Sequence, residues 1–450
     1  MSKIALKNAT VMCESGFKRT EVLIEDRLIA KIDPQVNTDG AKVIDCHGML
    51  VLPGLIDAHV HFRQPGMEKK ATIKTESAAA ALGGVTSFMD MPNTNPPTVS
   101  MDALNGKKDI AKKDSYVNYA FYLGASDKNL EEVKRADPHE IAGVKIYMGS
   151  TTGGLLLEGE SALVKMFKAS PTLVATHCED NAIINANTAL AKEMYGDHIP
   201  FNMHPIIRSR DCCIKSSALA IEAAKEAGAR LHIAHLSTAE EVEMMREFAS
   251  GPLHSRQVTG EVCIPHMFFN EGDYDRLKGF LKCNPSVKYE RDRRALLAGL
   301  RKGLISTIGT DHAPHELAVK TSENYLNVAS GLPSVQYSLS VIFELSKRGE
   351  ISLEEGIKAA TCNVAERFGI EKRGTIKEGY YADLVVFDPG ESFIVEQKDI
   401  ASLCGWSPML GQRFKGRVRD TIASGRLVVQ DYAIASEPGD AMALRFNVND

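Results

Sequence analysis

The chain has 450 residues, with 53 Lys and Arg against 58 Asp and Glu, giving a formal net charge of −5. An apolar share of 44% and a charged share of 25% fit a globular chain and exclude a disordered one. The small negative balance also argues against binding nucleic acid through a basic surface. No window approaches ~18 consecutive apolar residues, so neither a membrane span nor a membrane partner is expected. The opening MSKIALKNATVMCESG has no continuous apolar core and no cleavage pattern, so no signal peptide is expected. Nine cysteines, irregularly spaced and without C-x-x-C, fit small buried hydrophobes in a reducing cytoplasm better than a disulfide framework or a Cys-ligated zinc site.

Residues 1 to about 52 read as short strands: IALKNATVM, KRTEVLIED, RLIAKI and KVIDC, separated by Gly, Asn and Asp. From Leu52 the pattern changes, and eight short apolar runs follow: GLIDAHVHF, GVTSFMDM, VNYAFYLG, GVKIYMG, PTLVATHCED, RLHIAHLS, SRQVTGEVC and LISTIGTDH. Between several of them lie helix-like stretches such as TIKTESAAAALG, CCIKSSALAIEAAKEAG, TAEEVEMMREFAS and YERDRRALLAGLRKG. This alternation predicts an α/β fold, a (β/α)₈ barrel over residues 53–364. A doubly wound sheet is the alternative, but no G-x-G-x-x-G follows a strand. After about residue 365 strands return in GTIKEGY, ADLVVFDP, SFIVE and GRVRDTIASGRLVVQ. They are expected to join residues 1–52 in a small β-sandwich domain, with residues 365–450 as its second segment. The tail from Ser436 is weakly patterned and is expected to be mobile.

The cluster DAHVHFR is the first with chemical content. Side chains alternate across a strand, so Asp57, His59, His61 and Arg63 are expected on one face. Two imidazoles two residues apart suit one metal ion, although His-x-His alone is more often a chance pairing. Its place after MLVLPGLI, where a barrel strand meets its C-terminal mouth, favours the metal. Lys145, His177, His235 and Asp311 lie near the ends of later runs. His235 is preferred to His232, which has the opposite parity. His312 is read as packing behind the site, and His47, His139, His198 and His204 as surface or capping residues. An ammonium at Lys145 would be repelled by two divalent cations, whereas a buried lysine can deprotonate. Its neutral amine can add carbon dioxide, and the resulting carbamate can bridge two metals as a carboxylate does. An ordinary snorkelling lysine is the alternative.

The order His-x-His, Lys, His, His, Asp, each near its own strand end, resembles the binuclear amidohydrolase superfamily and, within it, the dihydroorotase family. The resemblance spans nearly the whole chain and includes GTIKEGYYADLVVFDP. It implies two zinc ions per chain, with His59 and His61 on one and His177 and His235 on the other. Carboxylated Lys145 and a hydroxide would bridge them, and Asp311 would serve both as ligand and as catalytic proton carrier. Relatives often bridge with aspartate, so Lys145 marks a departure. Arg63 in HFRQPG, Asn93 in DMPNT and His315 in DHAPH are implied as partners of a substrate carboxylate, with Asn284 near the substrate ring. Ser286 and Lys288 depart from the usual Asn-Pro-Pro-x-Arg pattern beside Asn284. SGLP at 330–333 is expected to offer backbone groups to the ring.

The implied activity is reversible closure of N-carbamoyl-L-aspartate to L-dihydroorotate in pyrimidine biosynthesis. Its partners would be a small-molecule substrate, a second copy of the chain in a homodimer, and other enzymes of that pathway. Two alternatives stand beside it: a hydantoinase or dihydropyrimidinase, which usually lacks the arginine, and an inactive scaffold homologue, which would lose ligands.

Overall fold

The computed structural model describes residues 2–149 and 154–447. Its first strands are β1 (Lys3–Cys13), β2 (Gly16–Glu25), β3 (Leu28–Asp33), β4 (Lys42–Asp45) and β5 (Leu50–Pro53). β1 pairs antiparallel with β2 and parallel with β4 and β5.

The next strands are the staves of a barrel: β6 (Leu55–Val60), β7 (Val85–Asp90), β8 (Asn118–Phe121), β9 (Leu123–Gly124), β10 (Val144–Tyr147), β11 (Val174–His177), β12 (Leu231–Ile233), β13 (Val258–Cys263) and β14 (Thr307–Gly309). β8 and β9 are two parts of one stave, so these nine segments make eight staves, one for each apolar run. All neighbouring staves run parallel. The barrel closes where Val60 bridges His312, with His61 N–H donating to the His312 carbonyl at 2.7 Å.

Helices follow the staves where the sequence places them. TIKTESAAAALG gives helix Ile73–Leu82, started by a capping box on Thr72. Arg210–Ala227 ends at Gly228 in the left-handed region, and Glu290–Arg301 follows Tyr289. No described helix is long and apolar enough to cross a membrane.

Strands then return as β15 (Leu384–Ile394), β16 (Arg413–Ala423), β17 (Arg426–Gln430) and β18 (Ala433–Ile434). They join the N-terminal strands in one nine-stranded sheet, through the antiparallel pair β15–β5. Its core is a cluster of its own, with Leu6, Val11, Val22, Val51, Leu384 and Val386 among its buried members. The division of the chain into this unit (1–52 and 365–450) and the barrel (53–364) stays our proposal.

The tail departs from expectation. Leu444 and Phe446 are each 3% exposed and pack with Tyr122 and Phe368. Ala443 bridges Tyr119 and Phe446 bridges Ile370, so the segment is pinned beneath the N-terminal ends of the staves. Two apolar side chains are enough to anchor it, and the short, aperiodic pattern hid them.

Asp383, just before β15, ties the sheet to the barrel. Its Oδ1 accepts from Asn118 Nδ2 at 3.0 Å and from Ser424 N–H at 2.7 Å, and its Oδ2 pairs with Arg373. Asn118 is fully buried, and Arg373 is 4% exposed. Removing one partner of a buried pair costs about 3–5 kcal/mol, because the other charge is left without compensation. Asp383→Ala should therefore lower the urea midpoint strongly. Lys358→Ala, which breaks an exposed pair with Glu354, should cost less than about 0.5 kcal/mol. Equal midpoints for the two variants would refute this role for Asp383.

Candidate metal centre and active site

His59 lies in β6, and His61 and Arg63 just beyond its end. Lys145 is in β10, His177 ends β11, His235 is two residues past β12, and Asp311 two past β14. All stand at the C-terminal mouth of the barrel. A cavity of about 500 Å³ is lined by all seven, together with Asn93, Asn284 and His315. The ten residues singled out in the sequence thus meet in one place.

Local backbone helps to aim them. Arg63, His235 and Asp311 have φ of 67°, 39° and 47°, in the left-handed region that residues with a Cβ seldom adopt. Gly331 in the cavity wall has φ of +128°, and a Cβ there would meet the Ala313 carbonyl at 2.6 Å, so only glycine fits.

The hydrogen-bond network fixes where lone pairs point. His59 Nδ1 lies 2.8 Å from Glu261 Oε1, and His61 Nδ1 lies 2.7 Å from Asn93 Oδ1. Both Nδ1 atoms therefore carry protons, and both Nε2 atoms present lone pairs. These face Asp311 Oδ1 at 3.3 and 3.1 Å. Three acceptors converge with no donor between them, a donor set that fits a cation.

On the other side, His177 Nε2 is bound by Glu179 at 2.9 Å, which turns His177 Nδ1 toward His235 Nε2, also at 2.9 Å. Tetrahedral zinc would hold two such nitrogens roughly 3.3 Å apart, a small adjustment. Burial lowers the pKa of His61 to about 4 and drives that of His235 well down, so both offer neutral imidazoles.

Lys145 is fully buried, and its Nζ has no hydrogen-bond partner among the described residues. Burial lowers its pKa to about 8, against the opposing pull of Glu261 and Asp311. Lowering the pKa toward neutrality makes the neutral amine easier to reach, and that is the form that can add carbon dioxide to give a carbamate.

The far wall of the cavity is built differently. Arg63 is 7% exposed, donates through Nε to the Pro314 carbonyl at 3.2 Å, and meets His315 Nε2 at 3.2 Å. No acid pairs with its guanidinium among the described residues. His315 Nε2 also lies 2.9 Å from the Ser330 carbonyl, and burial, with Arg63 and Lys70, lowers its pKa to about 2. Because Asn93 Oδ1 is engaged by His61, its amide Nδ2 is left to donate into the cavity.

A family model described as "Amidohydrolase family" matches residues 50–428. The chain belongs to the amidohydrolase family. It is 30% identical to a dihydroorotase of Methanosarcina acetivorans, over 98% of this chain and 94% of that one. A dihydroorotase of Halobacterium salinarum is 34% identical, over 83% of this chain and 85% of its own. An allantoinase of Bacillus velezensis is 29% identical, over 95% and 94%. The solved L-hydantoinase of Arthrobacter aurescens superposes with a TM-score of 0.93 at 25% identity, covering 99% of this chain and all of that one. This amidohydrolase is thus a hydrolase acting on cyclic amides.

Two expectations need correction. Asp57 does not share the cavity face with His59, because the β6–β7 register shifts between Asp57 and Val60. Its carboxylate binds Thr310 N–H and Oγ1 at 3.2 and 2.5 Å and His59 N–H at 3.1 Å, bracing the strand end. His204 is not a surface residue. It is fully buried, bonded to Tyr325 Oη and the Cys283 carbonyl, each at 2.7 Å. His312 packs as expected, on Glu76 at 2.7 Å, and His232 turns to Thr259.

Sequence reasoning missed Glu261 and Glu179. Glu261 is 1% exposed in the middle of β13, and Glu179 is fully buried and paired with Arg208. An acid inside an apolar barrel strand, and one two residues beyond a ligand histidine, were the available signals. Partners of this kind typically change metal affinity 10- to 100-fold. Glu261→Gln should therefore weaken zinc binding by roughly 10- to 100-fold in a competitive chelator titration. An unchanged affinity would show that His59 needs no orienting acid.

Proposed function

We propose that this amidohydrolase interconverts L-dihydroorotate and N-carbamoyl-L-aspartate. The observation that carries the reading is Arg63: a buried guanidinium in the cavity wall with no acid to pair with it among the described residues. A charge so placed is costly unless a ligand neutralises it. A carboxylate matches a guanidinium in bidentate geometry. Asn93 Nδ2 and His315 complete its surroundings, and Asn284 faces the ring.

In this reading His59, His61, His177, His235 and Asp311, with a carboxylated Lys145, would hold a pair of zinc ions. The pair would supply activation of water at neutral pH and polarisation of the scissile carbonyl. The protein's own residues do the rest. Arg63, Asn93 and His315 anchor the carboxylate and so fix the ring amide over the imidazole cluster. Asp311 Oδ1 faces His59 and His61, leaving Oδ2 to take the proton of the attacking water. The water oxygen bonds to the ring carbonyl carbon, the carbon–nitrogen bond breaks, and Asp311 delivers the proton to the departing nitrogen. Ring closure runs the same steps backward.

A hydantoinase or dihydropyrimidinase reading shares the metal frame, and the likeness to L-hydantoinase favours it. The two readings divide at Arg63. Arg63→Ala should raise KM for dihydroorotate by roughly 100-fold, the range for losing a charged bidentate contact, and leave hydantoin turnover little changed. Equal losses on both substrates, or a wild-type enzyme that takes only hydantoin, would overturn the proposal. Asp311→Asn should abolish turnover in both directions while the protein keeps at least one zinc by elemental analysis. Near-native rates in that variant would remove Asp311 from the proton path.

A further inference from the structure

Arg63 is not the only cation at its end of the cavity. Lys70 lines the same wall, seven residues beyond Arg63 and just before helix Ile73–Leu82. Its backbone N–H closes a turn on the Met67 carbonyl at 2.9 Å, yet its ammonium makes no hydrogen bond or ion pair among the described residues. The nearby lysine Lys320 differs. Its Nζ is spent on the carbonyls of Lys282, Ala329 and Gly331, at 3.1, 2.7 and 2.8 Å. Of these two lysines, Lys70 alone keeps its donors for a ligand.

The charges around Lys70 give the same picture. Burial and then Arg63 lower its pKa, while Glu316 pulls the other way. Lys70 also helps to depress the imidazole of His315, so the three groups share one field. Like charges gathered on a partly dehydrated wall repel one another. An anion between them turns that repulsion into attraction.

We propose that Lys70 completes the anion end of the cavity as a specificity-determining residue. Its ammonium takes the outer oxygen of a substrate carboxylate whose inner edge is held by Arg63. The inference rests on the anionic-substrate reading and extends it: recognition uses a rigid fork at depth and a mobile point charge at the rim. Being partly exposed, the rim charge also acts on approach, drawing anions toward the mouth.

The test is steady-state kinetics of the zinc-loaded enzyme with dihydroorotate and with neutral hydantoin, at low and high salt. Lys70→Met and Lys70→Gln should each raise KM for dihydroorotate roughly 5- to 20-fold, the effect of one partly screened charge-assisted contact, with kcat nearly unchanged. Lys70→Arg should restore most of the loss. The salt dependence of kcat/KM should be shallower in the uncharged variants, and hydantoin kinetics should not move. Unchanged KM in both uncharged variants, or equal rises for the two substrates, would overturn the inference. If Arg63→Ala discriminates between the substrates while the Lys70 variants do not, only the role of Lys70 falls. If Arg63→Ala does not discriminate, the anionic-substrate reading falls and takes this inference with it.

Discussion

His59 Nε2, His61 Nε2 and Asp311 Oδ1 are aimed at one another with no proton between them. Lone pairs at 3.1–3.3 Å repel, and in a buried site water does not screen them. The arrangement holds because rigid parts enforce it from behind. Glu261 fixes His59, Asn93 fixes His61, and Asp57 braces the strand end through Thr310. Left-handed backbone at His235 and Asp311 adds strain that the barrel closure beside Val60 and His312 must absorb. A fold that spends stability in this way gains a centre whose donors are in place before any cation arrives.

Apart from Asp311, the acids buried around the site and under the sheet have assigned partners. Glu261 meets His59, Glu179 meets both His177 and Arg208, Glu76 meets His312 and Ser402, and Asp383 meets Arg373. Cations on the cavity's other wall break that pattern. Among the described residues, Arg63 and Lys70 make no ion pair with an acid, while Lys320 is satisfied by carbonyls. This asymmetry separates groups that hold the molecule together from groups left for something that enters it. Structural charges are paired within the chain, whereas ligand-binding charges are paired by the ligand.

Periodicity and strand-end position carried most of the architecture. Eight apolar runs became eight staves, and four quoted helical stretches became helices beginning at Ile73, Arg210, Ala239 and Glu290. The ligand-type residues were legible because barrel mouths collect strand ends, whatever the distance between them along the chain. What escaped was whatever depends on packing. The register shift after Asp57 reverses a parity that strict alternation assigns. Burial of His204 comes from contacts with Tyr325 and Cys283, which are far away in sequence. Glu261 reads as one more charge in a short strand until the partner 202 residues away is placed beside it. The anchoring of Leu444 and Phe446 likewise follows from a hydrophobic cleft that only the closed barrel creates.

Membership of the family bears on the cluster of metal-ligand-type residues more firmly than on the substrate, and the physics explains the difference. Imidazole and carboxylate positions at the strand ends are set by hydrogen-bonded scaffolding that any cyclic-amide hydrolase of this fold can share. Relatives acting on different rings accordingly align with this chain at nearly equal identity, 30% for a dihydroorotase and 29% for an allantoinase. Substrate choice then lies in the few side chains facing the other wall, where each added or missing charge is worth more than overall similarity. Rejecting a neutral ring requires a group that suffers when the substrate carboxylate is absent. A buried guanidinium without a counter-ion is such a group, because every neutral occupant leaves it unpaired. In the proposed reading, the charge that draws an anion in would therefore also penalise the wrong substrate, and it would do so without any change in the machinery that breaks the bond.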